Sequence, residues 1–229
     1  MKTLTQKIVA VGAGVFLTAN MAVYGTTILY NNSTTDTGNN LSFVNNSQIG
    51  NEIVMGNSSP LNALTSFSFE IYSPDAAFQG ANVQMQVFLY ANDGPPFNTY
   101  PTPSTVLYNS GLFSLSTPQH SVGLNAETLN FDLSATPVTV PHDFTFAVEV
   151  TGLVGNDYLG MELFDPATVG QNYGDYWLNS GSGWQLDTLG TRTDIGAQFV
   201  GSAIPDAAPT AMLLGAALAS LGFLRRKLS

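Results

Sequence analysis

The sequence predicts an all-β protein, an antiparallel β-sandwich of jelly-roll type, set between an N-terminal signal helix and a short C-terminal hydrophobic helix. Three observations predict it. Apolar and polar residues alternate with a period of two along most of the chain. Aromatic residues are frequent, with 14 Phe and 9 Tyr. Charged residues make up only 10 %, and Asn, Ser, Thr, Gly and Pro fill the polar positions between the alternating runs. Aromatic and β-branched side chains fit a pleated, half-buried surface while Gly, Asn and Asp supply turns, so the chain reads as many short strands joined by polar turns.

The first element is residues 1–25. Lys2 and Lys7 precede the uncharged run 8–17, and a more polar stretch ends in Val23-Tyr24-Gly25. A positive start, a short apolar middle and a small-residue exit make a secretory signal peptide, with signal peptidase cutting after Gly25. The apolar run is too short to span a bilayer core.

Residues 26–203 form the body. Leu61, Ala63, Thr65, Phe67, Phe69 and Ile71 fall on one face of an extended run, with Ser66, Ser68 and Glu70 on the other. Ala81, Val83, Met85, Val87 and Leu89 repeat the pattern against Asn82, Gln84 and Gln86. Phe144, Phe146, Val148 and Val150 repeat it against Asp143, Thr145 and Glu149. Leu129, Phe131 and Leu133, then Leu159, Met161 and Leu163, add two shorter cases. Strands with one dry face must pair their dry faces, which two packed antiparallel sheets accomplish; a closed barrel is the alternative. The Pro-rich stretch 94–103 reads as a long surface loop.

Charge and cysteine content exclude several functions. The body holds fifteen Asp or Glu against the single Arg192, a net charge of −14. Such a surface repels phosphate backbones, so nucleic acid is no partner. Cysteine is absent, which removes disulfides, thiolate metal sites and Cys nucleophiles.

Two groups of body residues are candidate binding sites. Tyr176, Trp177 and Trp184, in a segment rich in Gly, Ser and Asn, are the candidates for stacking on a sugar ring. If the turn is 180–183, Asn179 faces Trp184 and Trp177 faces Leu186, and both tryptophans share a face with Leu186, expected to be the core side. Asp93, Asp157 and Asp165 lie at turns and are candidate calcium ligands, although the regular calcium-loop spacing is missing and such residues start turns for local reasons. No other cofactor is expected. The two histidines, His120 and His142, sit in no catalytic pattern, and no pair among the fifteen acids is marked out for glycoside cleavage. The expectation is a protein that is not an enzyme.

The last element is residues 204–229. Ile204-Pro205-Asp206 is followed after a spacer by Thr210, then by the uncharged run 211–224, then by Arg225-Arg226-Lys227. Fourteen residues make a helix of about 21 Å, short of a hydrocarbon core of about 30 Å. The cationic cluster behind it would stay cytoplasmic.

This order resembles the PEP-CTERM class of sorting tails, in the variant written Val-Pro-Asp-x-x-x-Thr/Ser. Ile204 stands where that variant has Val, and Asp206 where the name-giving form has Glu. The resemblance implies that an exosortase, an integral-membrane cysteine transpeptidase of Gram-negative bacteria that make extracellular polysaccharide, recognises Pro205 and Asp206 and processes the tail. Thr210 would mark the motif's far edge. The turn Ala91-Asn92-Asp93-Gly94 and the Tyr176-Trp177 hairpin are similar to β-sandwich ectodomains found ahead of such tails.

The sequence reading is therefore a non-enzymatic exported protein of the cell envelope or extracellular matrix, associated with exopolysaccharide or biofilm and held briefly in the inner membrane by its tail. A carbohydrate-binding module is the alternative, and a glycan hydrolase with an unmarked site the third reading.

Overall fold

A computed structural model describes residues 25–74, 82–115, 126–189 and 193–205. The expected signal helix, His120, Arg192 and the tail from Asp206 through Thr210 to Arg225, Arg226 and Lys227 lie outside the described residues. The described chain is all-β, its paired strands run antiparallel throughout, and it contains no helix.

The chain passes repeatedly between two sheets. β1 (Thr27–Asn32) and β2 (Asp36–Ser42) lie in the first sheet, and β3 (Ser47–Val54) in the second. β4 (Leu61–Tyr72) returns to the first and β5 (Gln84–Ala91) to the second. A small hairpin of β6 (Pro96–Phe97) and β7 (Tyr100–Pro101) stands apart from both. β8 (Val106–Asn109) and β9 (Phe113–Ser114) join the second sheet, then β10 (Ala126–Asp132) and β11 (Val138–Pro141) the first. β12 (Asp143–Thr151) lies in the second and β13 (Gly160–Phe164) in the first. β14 (Asp175–Asn179) and β15 (Trp184–Thr188) make a hairpin at the edge of the second sheet, and β16 (Asp194–Ile195) and β17 (Ala197–Ala203) end in the first.

The pairings nest. β5 pairs β8, β4 pairs β10, β3 pairs β12, β2 pairs β13 and β1 pairs β17, so the chain forms one long antiparallel ribbon folded back on itself. Rolling that ribbon places β2-β13-β4-β10 in one sheet and β3-β12-β5-β8 in the other. Their dry faces meet in a single core. Phe67 stacks on Phe131 at 4.5 Å and on Phe199 at 5.6 Å, and Phe146 reaches across from the second sheet to Phe69 at 5.0 Å. Each fully buried Phe contributes roughly 1.5–3 kcal/mol of transfer free energy, with ring geometry adding to it.

The expected alternation holds along β5, β12 and β13. Met85, Val87, Leu89, Phe144, Phe146, Val148, Val150, Leu159, Met161 and Leu163 are all buried. Along β4 it breaks. Phe67, Phe69 and Ile71 face the core as expected, but further upstream Asn62 and Leu64 are buried and Leu61 is 43 % exposed. The ladder slips beside Thr65: Val200 pairs Ser66 while the next residue, Gly201, pairs Leu64. One extra residue in a strand turns every side chain beyond it to the other face, so Leu61, Ala63 and Thr65 leave the row expected from the sequence.

Candidate functional site on the outer face of the second sheet

Cross-strand partners share a face, so the second sheet's register lays out its outer surface. Trp177, Gly50, Ala147 and Phe88 make one row across β14, β3, β12 and β5. Asn179, Gln48, Glu149 and Gln86 make the next. Glu52, Thr145 and Tyr90 lie in a row on the other side of the tryptophan. Phe88, Tyr90 and Ala147 form a small apolar cluster separate from the main core, with Trp184 packed on it and its ring 5.6 Å from Tyr90. Gly50 makes room here: a Cβ at that position would stand 2.8 Å from Thr145 Cγ2 and 3.3 Å from Ala147 Cβ.

The hairpin residues pair as the sequence predicts, Trp177 with Leu186 and Asn179 with Trp184. Their face is the outer one, not the core side. It is Leu178 and Tyr176 that turn toward the core, and the Tyr176 hydroxyl donates to Asp187 at 3.1 Å. The odd-even choice depends on how β14 docks against β3, which the hairpin's own sequence does not encode. Trp177 is nonetheless 1 % exposed and offers no ring face to a ligand, while Trp184 is partly exposed. Tyr176, Trp177 and Trp184 therefore do not assemble into one open platform.

A different group converges at the end of this face where β3 finishes and β12 begins. Glu52 shares a hydrogen bond with Asp143, and burial, then the charges of Asp143 and Asp175, push Glu52 up to about 8. Asp143 accepts from Asn92 Nδ2 at 3.1 Å, and Asn92 Oδ1 accepts from the fully buried Thr145 hydroxyl at 2.6 Å. Asp175 is itself raised by burial. Tyr173, 54 % exposed, lies against this group: burial, then Glu52, Asp143, Asp175 and Tyr100, raise its hydroxyl. Tyr100, 52 % exposed, lies on β7 of the small hairpin, close enough for its charge to act on Tyr173, and β6 of that hairpin lies against β15. Glu52, which keeps its proton, and the neighbouring Asp143 place donor and acceptor oxygens side by side, and Tyr100 and Tyr173 are both about half exposed. That set suits a polyhydroxylated ligand. A direct hydrogen bond between Glu52 and Asp143 leaves no room for a glycosidic bond, whose cleavage needs carboxyls roughly 5 Å or more apart.

The candidate calcium ligands do other work and do not converge. Asp93 accepts from the Thr105 amide at 2.9 Å and hydroxyl at 2.6 Å, closing the long loop and lowering its own pKa. Asp157 accepts from the Val154 amide at 3.0 Å in the loop after β12, at the opposite end of that strand from Asp93. Asp165 follows β13, its amide donating to Thr35 at 3.0 Å. Among the described residues no group of three or more His, Cys, Asp or Glu is placed to hold a metal. His142 lines an open depression between the 54–58 loop and Gly170-Gln171, its Nε2 2.6 Å from the Asn57 carbonyl.

Two further acidic groups escaped the sequence reading. On the first sheet Glu162 is buried and pushed up to about 7 by burial, then by Asp36 and Glu70. Between the sheets Asp194 is fully buried, and burial raises it well above its ordinary range. One oxygen accepts from the Ile195 amide at 2.8 Å, while Oδ2 has no partner. Strand alternation alone could have marked Glu52 as outward-facing. Its proximity to Asp143 and Tyr173, contributed by segments far apart in sequence, left no sequence signal.

Of the sorting and cleavage residues, Gly25 lies exposed just ahead of β1. Ile204 continues the ladder of β17: its amide donates to the Leu61 carbonyl at 2.9 Å, and its carbonyl accepts from the Ser59 hydroxyl at 2.9 Å. Pro205 has no amide hydrogen to continue that ladder. No family model matches the chain, and no curated protein or solved structure matches it.

Proposed function

We propose that this chain is an exported, non-catalytic protein of the cell envelope or extracellular matrix that binds neutral extracellular polysaccharide through the Glu52, Asp143, Tyr100 and Tyr173 group. The observation that carries this reading is the meeting of Glu52 and Asp143 on an outer sheet face beside the half-exposed Tyr100 and Tyr173. A body with no Lys or Arg among the described residues disfavours anionic glycans and leaves neutral ones. The signal at residues 1–25 supports export, and the tail at 204–229 supports processing by an exosortase.

We also take the fold to be a jelly roll. Counting β2, β3, β4, β5, β8, β10, β12 and β13 in chain order, one sheet reads first, eighth, third, sixth and the other second, seventh, fourth, fifth. That is the order produced when an eight-strand antiparallel ribbon is wrapped into two Greek keys.

The test is co-sedimentation of the mature body with insoluble neutral polysaccharides and screening on a glycan array. Binding that is lost in Tyr100→Ala and Tyr173→Ala, with circular dichroism unchanged, is the expected result. Binding indifferent to both substitutions, or restricted to polyanionic glycans, would overturn the reading.

A further inference from the structure

We infer that the body faces the membrane with one defined end, the end carrying the uncharged loop 56–61. This rests on the reading of the tail as a membrane segment and adds an orientation to it. Thr27 pairs with Gly201 in the β1–β17 ladder, so the two ends of the body leave the sandwich side by side. Upstream of Thr27 lies the apolar run 8–17, and downstream of Ile204 lies the apolar run 211–224 closed by three cations. Both apolar runs therefore connect to the same end of the fold.

The downstream connection is short and fixed at its root. The bonds from Ile204 to Leu61 and Ser59 hold it in the sheet. Five residues, Asp206 to Thr210, then separate Pro205 from the apolar run. Fully extended they reach about 17 Å. β12 alone, with nine residues, spans about 27 Å between its first and last Cα. The tether is thus shorter than the sandwich is long, and the opposite end, with Val44 58 % and Val154 51 % exposed, stands away from the bilayer. Loop 56–61 itself contains only Gly, Asn, Ser, Pro and Leu, but Asp143, paired with Val54, and Asp93, just beyond β5, lie at the same end, so the short tether and not charge sets which end faces the bilayer.

The absence of cysteine allows site-specific labels. Full-length protein carrying Ser58→Cys, Val44→Cys or Val154→Cys would be labelled with a fluorophore and reconstituted into phosphatidylethanolamine–phosphatidylglycerol vesicles containing headgroup-spin-labelled lipid. Strong quenching at position 58, several-fold above that at 44 and 154, is expected. Equal quenching at all three, or stronger quenching at 44 or 154, overturns the orientation while leaving the tail reading intact. Failure of the full-length chain to enter vesicles would defeat the tail reading and the orientation together.

Discussion

Glu52 and Asp143 share a hydrogen bond on the outer face of the second sheet, one from the end of β3 and one from the start of β12. Asn92 holds Asp143 from a third position. With no Lys or Arg among the described residues, proton retention is what relieves the crowding of carboxylates here. That choice has measurable consequences for stability and for binding.

The fold should lose stability as pH rises from about 5 to 8. Burial first, then neighbouring carboxylates, raise Glu52 from 4.5 to about 8 and Glu162 from 4.5 to about 7. Up to about pH 7 the unfolded chain has released both protons while the folded protein still holds them, and from there to about pH 8 Glu52 alone carries the difference. Rising pH therefore draws the equilibrium toward the unfolded state. Solvent screening reduces the effect, and a melting temperature roughly 2–6 °C lower at pH 8 than at pH 5 is expected. Calorimetry across this range checks it, and Glu52→Gln should flatten the slope. A profile that is level or climbs toward pH 8 would show the sign to be wrong.

Asp194→Asn and Asp194→Ala should separate charge from hydrogen bonding in the core. The amide variant carries no titrating proton and can still accept from the Ile195 amide, so at pH 8 it should equal or exceed the parent in stability. The alanine variant strands that amide and should cost about 1–3 kcal/mol. Urea titration of both reads the difference. An Asn variant as damaged as the Ala variant would argue for a role specific to the carboxyl.

Gly50→Ala should destabilise by about 1–3 kcal/mol, because its Cβ would press on Thr145 Cγ2 at 2.8 Å. The strain falls on the residue that pairs with Trp177, so a red shift in tryptophan emission should accompany the loss. Unchanged stability and emission would mean that the sheet relaxes around the added methyl.

Core and rim aromatics should respond oppositely. Phe199, buried and in ring contact with Tyr30, Phe67, Phe144 and Phe146, should cost about 3–5 kcal/mol on replacement by Ala. Tyr100→Ala should stay within about 0.5 kcal/mol yet abolish polysaccharide binding. A large stability loss in Tyr100→Ala would recast that ring as structural.

The alternation along β12 was legible because each residue's face follows from the pleat, and no neighbour alters it between Asp143 and Thr151. The turn at 180–183 was legible for a similar local reason, since loop length sets which residues of a hairpin face each other. Thr65 was not legible. A slip in one ladder is set by the partners β17 and β10 on either side, and alternation in β4 reads smoothly across it. The same holds for Trp177: pairing with Leu186 was in the hairpin, but the face it occupies was chosen by β3.

By itself the sequence determined the class of secondary structure, the dry faces of the regular strands, the acidity of the body and the apolar character of both ends, because each depends on residues adjacent in the chain. Tertiary structure alone decided the nesting of the strands, the meeting of Glu52 with Asp143 and Tyr173, and the side-by-side exit of the two ends. Those depend on which strands lie next to one another. Many registers would satisfy the same alternation, and only packing across two sheets selects among them.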